Sequence, residues 1–101
     1  MKSLKIESWK VKDSEDGKER DENIVTILTA LLSFKDPKDM PRGFQQAMMF
    51  NRILKAFENK EDLILDDIDY NFLKKMIETD TPAIWGTNPK IMECLKKFNS
   101  L

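Results

Sequence analysis

Two amphipathic helices separated by a short turn constrain the fold of this chain more than any other feature of its sequence. From residue 44 to 57, and again from 68 to 77, large apolar side chains recur at the three- and four-residue spacings of a buried helical face. Met49 and Phe50 widen the apolar stripe of the first helix, which indicates neighbours on two sides. The pattern assigns six side chains of the pair to the core: Phe44, Met48, Ile53, Phe57, Phe72 and Met76.

The second of these helices has a well-marked start. Asp66 is a suitable N-cap, because its carboxylate can accept hydrogen bonds from the free backbone N–H groups of the first turn. Asp67 and Asp69 then place negative charge where the helix dipole favours it. We therefore predict a helix from Asp67 to Glu78.

The N-terminal part is predicted to contain a β-strand from Leu4 to Val11. Apolar and charged residues alternate there, but the alternation changes phase in the middle, which indicates a bulge or apolar contacts on both faces. A strand needs a partner for its backbone N–H and C=O groups. Three partners are open: residues 23–29, the run Leu63–Leu65, or the same strand of a second copy.

The remaining segments complete a mostly helical chain. Residues 13–22 are dense in charge and are predicted to be an exposed loop. Residues 23–34 have helical apolar spacing and a cap at Asn23, so we favour a helix, although their many β-branched side chains leave a strand open. Asn88 followed by Pro89 marks the start of a last helix that runs to Phe98.

The sequence thus predicts one α+β domain, mostly α, that spans residues 1–101. An N-terminal β element (3–12) and a charged loop (13–22) precede a helical body (23–98). This body is expected to pack three to four helices around one small core.

Composition limits the partners and the compartment. The formal net charge is −1, and only residues 23–60, with six basic and three acidic side chains, are mildly basic. Nucleic acid is therefore not an expected partner. The single Cys94 suits a reducing compartment. Lysines interrupt the N-terminus where a signal peptide would need an apolar run, and the longest apolar tract is too short to span a bilayer. We expect a cytoplasmic protein without membrane contact.

The sequence offers little catalytic chemistry. It contains no histidine, the commonest general base and metal ligand. Its three glycines are isolated, which excludes a glycine-rich phosphate loop. Cys94 lies on the last predicted helix and is expected to be a buried or inert thiol. We therefore expect no enzymatic activity and no cofactor.

One acidic segment matches part of a calcium-binding motif. Asp67, Asp69, Asn71 and Glu78 fall at positions 1, 3, 5 and 12 of an EF-hand loop. Phe72, however, stands where the sharp turn of that loop requires glycine, and the helical apolar period continues through the segment. We interpret it as the acidic first turn of a helix and expect no metal site.

A DNA-binding regulator is the alternative function. The two helices resemble a helix-turn-helix in outline, and Arg42, Arg52 and Lys55 could form a small basic patch. The second helix would then offer its N-terminal turn to DNA, and this turn carries three carboxylates that phosphates repel. The alternative is therefore less favoured.

The leading hypothesis is a non-enzymatic protein–protein interaction module. Six Phe, six Met and two Trp are a generous apolar inventory for 101 residues, and binding surfaces use flexible Met and large aromatic side chains. The candidate interface residues are Trp9, Val11, Met49, Phe50 and Trp85. A homodimer through the N-terminal strand is one expected form of association.

Three segments carry a resemblance to known proteins: Met40-Pro41-Arg42-Gly43-Phe44, Leu63-Ile64-Leu65-Asp66-Asp67-Ile68-Asp69 and Phe72-Leu73-Lys74-Lys75-Met76-Ile77. Over about residues 24–78, the chain resembles small proteins encoded by tailed bacteriophages and prophages. The resemblance implies an accessory or virion-morphogenesis protein that works by protein–protein contact in the host cytoplasm or on the virion. No catalytic residues carry over from it.

Overall fold

The computed structural model describes residues 1–12 and 17–101. Their architecture is α+β and mostly helical, with small strands and four α-helices in the described part, which confirms the predicted fold class. The elements, in chain order, are β1 (Lys2–Lys5), β2 (Trp9–Lys12), β3 (Glu19–Glu22), α1 (Ile24–Phe34), α2 (Phe44–Phe57), β4 (Asp62–Leu65), α3 (Asp67–Asp80) and α4 (Pro89–Asn99). Short 3-10 turns at Pro37–Asp39 and Ala83–Thr87 join helices.

Helix α1 lies at the centre of the core. Its four buried side chains, Ile24, Ile27, Leu28 and Leu31, meet buried residues of the other helices and of β4. Their spacing of three, one and three residues is helical, so burial of this face outweighs the β preference of the branched side chains. The favoured helix over residues 23–34 is thus confirmed.

The N-terminal strand is divided into two. Strand β1 pairs antiparallel with β4, so that Leu4 lies opposite Leu63, whereas β2 pairs with β3. The change of phase in the sequence therefore marks the point where the chain leaves one two-stranded sheet and enters another. Of the three partners left open, the run Leu63–Leu65 pairs with β1, whereas the partner of β2, Glu19–Glu22, was not among them. Since the partner of β1 lies within the chain, β1 does not require a second copy to pair.

Strand β3 lies within residues 13–22, which were predicted to be a loop; that prediction is wrong for Glu19–Glu22, and residues 13–16 lie outside the described residues. The sequence of β3 has no apolar alternation to reveal it. The strand forms because its backbone pairs with β2, and charges complement one another across the ladder. Lys10 Nζ, for example, lies 2.6 Å from Asp21 Oδ1.

Helix α3 begins at the predicted residue and extends two residues beyond Glu78, to Asp80. It is helical through the segment that matched an EF-hand loop, and the backbone N–H of Tyr70 donates to the Asp66 carbonyl at 2.8 Å. Asp66 does occupy the N-cap position. Among the described residues, however, its side chain makes no capping hydrogen bond, and its carboxylate lies 3.8 Å from Arg52 Nε instead.

The buried face of α2 differs from the predicted one. Ile53 is buried as expected, but Met49 (5% exposed) lies beside it in the core, while Phe44 (77%) and Met48 (42%) are exposed. The buried stripe with Met49 and Ile53 and the exposed stripe with Phe44 and Met48 both satisfy the helical period, because apolar residues cover well over half of the circumference of α2. The periodicity therefore could not identify which stripe faces the core, and packing against α3 and β4 decides it.

The N-cap of α4 gives a direct stability prediction. Asn88 Oδ1 accepts from the backbone N–H groups of Lys90 (3.0 Å) and Ile91 (3.2 Å). Asn88→Ala is expected to lower the free energy of unfolding by about 1 kcal/mol, because two N–H groups lose their acceptor. Urea denaturation measures this. Asn71→Ala is the control: Asn71 is exposed inside α3, where alanine is the better helix former, so it is expected to cause no loss. Equal losses in both variants would contradict the capping role.

Candidate interaction surface

The outward side of α2 is an exposed apolar stripe. We call it the α2 face and define it as Phe44, Ala47, Met48, Asn51, Leu54 and Lys55, all of which are exposed. Phe44 and Met48 are one helical turn apart, and Leu54 (58% exposed) lies further along the same side. Large apolar side chains at these spacings normally face a core. Here they face solvent, so the α2 face has the composition of a contact surface.

An ion pair helps to fix the rotation of α2. Arg52 forms two hydrogen bonds with Asp69 of α3: Nη2 to Oδ1 at 2.9 Å and Nε to Oδ2 at 3.2 Å. Asp69 is only 2% exposed, so its carboxylate depends on this partner. The hydrogen bonds that Arg52 donates to the Asp69 carboxylate raise the pKa of Arg52, which stays charged. On another side of α2, the rings of Phe50 and Phe72 meet edge to face at 5.2 Å. These contacts leave the α2 face turned outward.

The N-terminus of α2 is unusually open. Gly43 is the N-cap, with φ 109° and ψ 161°, a conformation that is essentially restricted to glycine. Within the described chain, no side chain caps this end and the first turn has no acidic residue. Arg42, just before it, is exposed and has no ion pair among the described residues. This end of α2 therefore combines free N–H groups with positive charge.

The five interface residues predicted from the sequence do not form one site. Trp9 and Val11 are half-buried on β2, and Phe50 is half-buried against Phe72. Trp85 is half-buried too, and the centroid of its ring lies 6.1 Å from the centroid of the Phe34 ring. Met49 is a correction: it is a core residue, because it lies on the same side of α2 as Ile53 and therefore cannot contribute accessible surface.

The exposed residues of the α2 face were missed by the sequence analysis. Phe44 and Met48 had been assigned to the core, and Leu54 had been counted among the apolar residues of the same buried face. One signal in the sequence could have indicated this face, namely that α2 has more apolar residues than one buried face can hold. A helix with apolar residues on two sides indicates a second contact, but sequence alone does not say which side is internal.

The placement of charges bears on the DNA-binding alternative. Arg52 is bound to Asp69, so it is not available to phosphates as a free cation. Asp66 and Asp67 are exposed at the N-terminal end of α3, the end that a recognition helix presents to the bases. The N-terminal ammonium group lies 2.8 Å from Asp67 Oδ1, and Arg52 Nε lies 3.8 Å from Asp66 Oδ2, so this end of α3 has no excess of positive charge to attract a DNA backbone. The geometry therefore does not favour α3 as a recognition helix.

A cavity of about 180 Å³ lies between the N-terminal strands and α4, and Trp9, Ile24 and Cys94 are among the residues that line it. Burial raises the pKa of the Cys94 thiol to about 11. The thiolate, which is the nucleophilic form, is therefore scarce at neutral pH. This agrees with an inert thiol rather than a reactive one.

The raised pKa predicts slow alkylation of Cys94. At pH 8, only about 0.1% of a thiol with this pKa is ionised, against roughly a quarter for an ordinary cysteine. Iodoacetamide is expected to react more than about 100-fold more slowly with the folded protein than with the same protein in urea, as followed by intact mass. The folded rate should continue to rise with pH towards 11. Equal rates in both states would show that the thiol is exposed.

Across residues 1–12 and 17–101, no three His, Cys, Asp or Glu side chains are grouped as metal ligands. No helix in the described part is long and apolar enough to cross a membrane. No family model, curated protein or solved structure matches this chain.

Proposed function

We propose that the chain is a non-enzymatic protein-interaction module that acts through the α2 face. The observation that carries this proposal is the exposure of Phe44, Met48 and Leu54 on one helix. Full burial of such a side chain contributes roughly 1.5–3 kcal/mol, and the part still exposed, from 42% for Met48 to 77% for Phe44, sets how much of this a partner can add before the entropic cost of association. A stripe of this size supports specific binding of moderate affinity.

The non-enzymatic part of the proposal rests on the chain's own groups. The sequence has no histidine, and the one thiol has a raised pKa. The buried carboxylate of Asp69 is engaged by Arg52. The further proposal, that the chain is an accessory or virion-morphogenesis protein of a phage or prophage, is supported only by the resemblance of residues 24–78 to such proteins.

Affinity capture from the native cells tests the role of the α2 face. The full chain, a Met48→Asp variant and a matched Ile68→Asp variant are compared. Met48 and Ile68 are both exposed apolar residues, but Ile68 lies on α3, outside the face. We expect protein partners to bind the wild type and Ile68→Asp and to be lost with Met48→Asp. Identical binding by all three would refute a function based on this face.

A further inference from the structure

We infer that a second copy of this chain is one partner of the α2 face, and that the two α2 helices pack antiparallel about a two-fold axis at Asn51. This inference rests on the proposed function, since it assigns an occupant to the same surface. It also places self-association on α2 rather than on the N-terminal strand, which is paired with β4.

The spacing along the face is that of a helix-pairing seam. Within the α2 face, Phe44, Ala47, Asn51 and Leu54 are separated by three, four and three residues. The C-cap residue Glu58 continues the series four residues after Leu54. This is the alternation by which helices pack side by side along their length. A second helix laid along this series would bury its two large apolar side chains, Phe44 and Leu54, together with Ala47.

The position of Asn51 favours a two-fold axis there. Asn51 is the polar residue in the middle of the seam, and it must form hydrogen bonds once a partner covers it. An amide both donates and accepts, so two Asn51 side chains that meet on the axis can satisfy each other. The same symmetry places Met48 of each copy level with Leu54 of the other copy. A polar Asn at one seam position is also a known means of fixing the alignment of paired helices.

Charge complementarity supports the antiparallel direction. With the axis at Asn51, Glu58 of one copy lies level with Phe44 of the other, next to the N-terminus of its α2. That end has free N–H groups, a Gly43 cap without a side chain, and the exposed Arg42 nearby. The carboxylate of Glu58 would therefore supply the acidic group that the first turn of α2 lacks. Two antiparallel helices also align their dipoles favourably.

The length of α2 sets the expected affinity. Fourteen residues span about 21 Å. A contact between two such helices lies below the roughly 1,200 Å² at which stable interfaces begin. We therefore expect a reversible dimer with a dissociation constant on the order of 10–100 µM.

Sedimentation equilibrium from about 5 µM to 1 mM tests the dimer. The wild type is expected to change from monomer to dimer over this range. Leu54→Glu is expected to remain monomeric, whereas Ile68→Glu, an exposed apolar residue off the face, should behave as the wild type. Glu58→Lys should raise the dissociation constant about five-fold, because like charges then meet at the N-terminus of α2.

Disulfide cross-linking tests the axis. In a Cys94→Ser background, Asn51→Cys is expected to form a dimer on mild oxidation, because a residue on a two-fold axis meets its own copy. Gln45→Cys, exposed on α2 but off the face, should cross-link far more slowly. Faster cross-linking at Gln45 would overturn the proposed axis.

The outcomes separate this inference from the proposed function. A monomer at 1 mM, or a dimer that Leu54→Glu does not affect, overturns the inference. If Met48→Asp nevertheless abolishes capture of other proteins, the proposed function stands without the homodimer. If neither the dimer nor the capture depends on the face, both fail.

Discussion

Replacing Phe98 with alanine is expected to lower the free energy of unfolding by about 3–5 kcal/mol. Phe98 is fully buried, and its ring lies 5.0 Å from that of Tyr70. It is the last of the α4 residues that join the core, after Ile91 and Leu95. Truncation removes a large apolar side chain and leaves a cavity that the surrounding helices α1 and α3 cannot close without moving.

The loss would be a large part of the total stability. Domains of this size are commonly stable by about 5–15 kcal/mol, so a loss of about 3–5 kcal/mol is at least roughly a fifth of the total. Urea denaturation followed by far-UV circular dichroism measures the change. Lys96→Ala, two residues away on the exposed side of α4, is the control and should change stability by less than about 0.5 kcal/mol. A loss below about 1 kcal/mol for Phe98→Ala would mean that α4 does not pack on the core as described.

The Phe98→Ala variant keeps the backbone carbonyl of residue 98. This carbonyl accepts a hydrogen bond from the Tyr70 hydroxyl at 2.8 Å. The measured loss therefore reports ring packing. Tyr70→Phe, which removes the hydroxyl, isolates this hydrogen bond and should cost about 0.5–1.5 kcal/mol, because the Phe98 carbonyl still accepts the longer hydrogen bond, 3.3 Å, from the backbone N–H of Leu101.

The helices were predictable because their signals are local. A helix start is signalled by only three or four consecutive residues. Here these signals are the caps at Asn23 and Asn88 and the proline at position 89. Each of the four helices in the described chain begins within one residue of the position that its sequence signal gives. The strands were harder to predict from the sequence. The partner of β1, β4, lies some sixty residues later in the chain, and β3 has no apolar pattern, so that only its pairing with β2 identifies it.

The α2 face was even harder to predict from the sequence than the strands, for a physical reason. Periodicity reports that a side of a helix is apolar, but it does not report what covers that side. In α2, Met49 and Met48 are neighbours of the same type; one is buried and the other is exposed. The Arg52–Asp69 pair, formed across seventeen residues, helps to decide between them. Such a contact depends on tertiary geometry that no short window of sequence contains.

Replacing Gly43 with alanine is expected to destabilise the protein by about 1–3 kcal/mol through the backbone alone. Its φ of 109° with ψ 161° lies in a region that side-chain-bearing residues rarely adopt, so alanine must be strained there or distort the entry into α2. Side-chain clashes do not contribute to the result, because no described atom outside residues 42–44 lies within 4 Å of the position that a Cβ at residue 43 would take.

Gly86→Ala is the matched control for this effect. An added Cβ at Gly86 would also meet no described atom within 4 Å apart from its chain neighbours and the backbone of its own turn, but Gly86 does not have a positive φ. The two substitutions therefore add the same group to open space and differ in backbone conformation. Gly86→Ala is expected to be neutral or to stabilise by up to about 1 kcal/mol, because alanine restricts the unfolded chain. Chemical denaturation of both variants gives the difference.

The same pair of variants relates backbone strain to the α2 face. If Gly43→Ala distorts the first turn of α2, it should displace Phe44 and the free N–H groups that the proposed antiparallel dimer uses. We then expect weaker dimerisation in Gly43→Ala and an unchanged dissociation constant in Gly86→Ala. Equal stability of the two variants would mean that residue 43 does not hold the positive φ, and the open N-terminus of α2 would lose its structural basis.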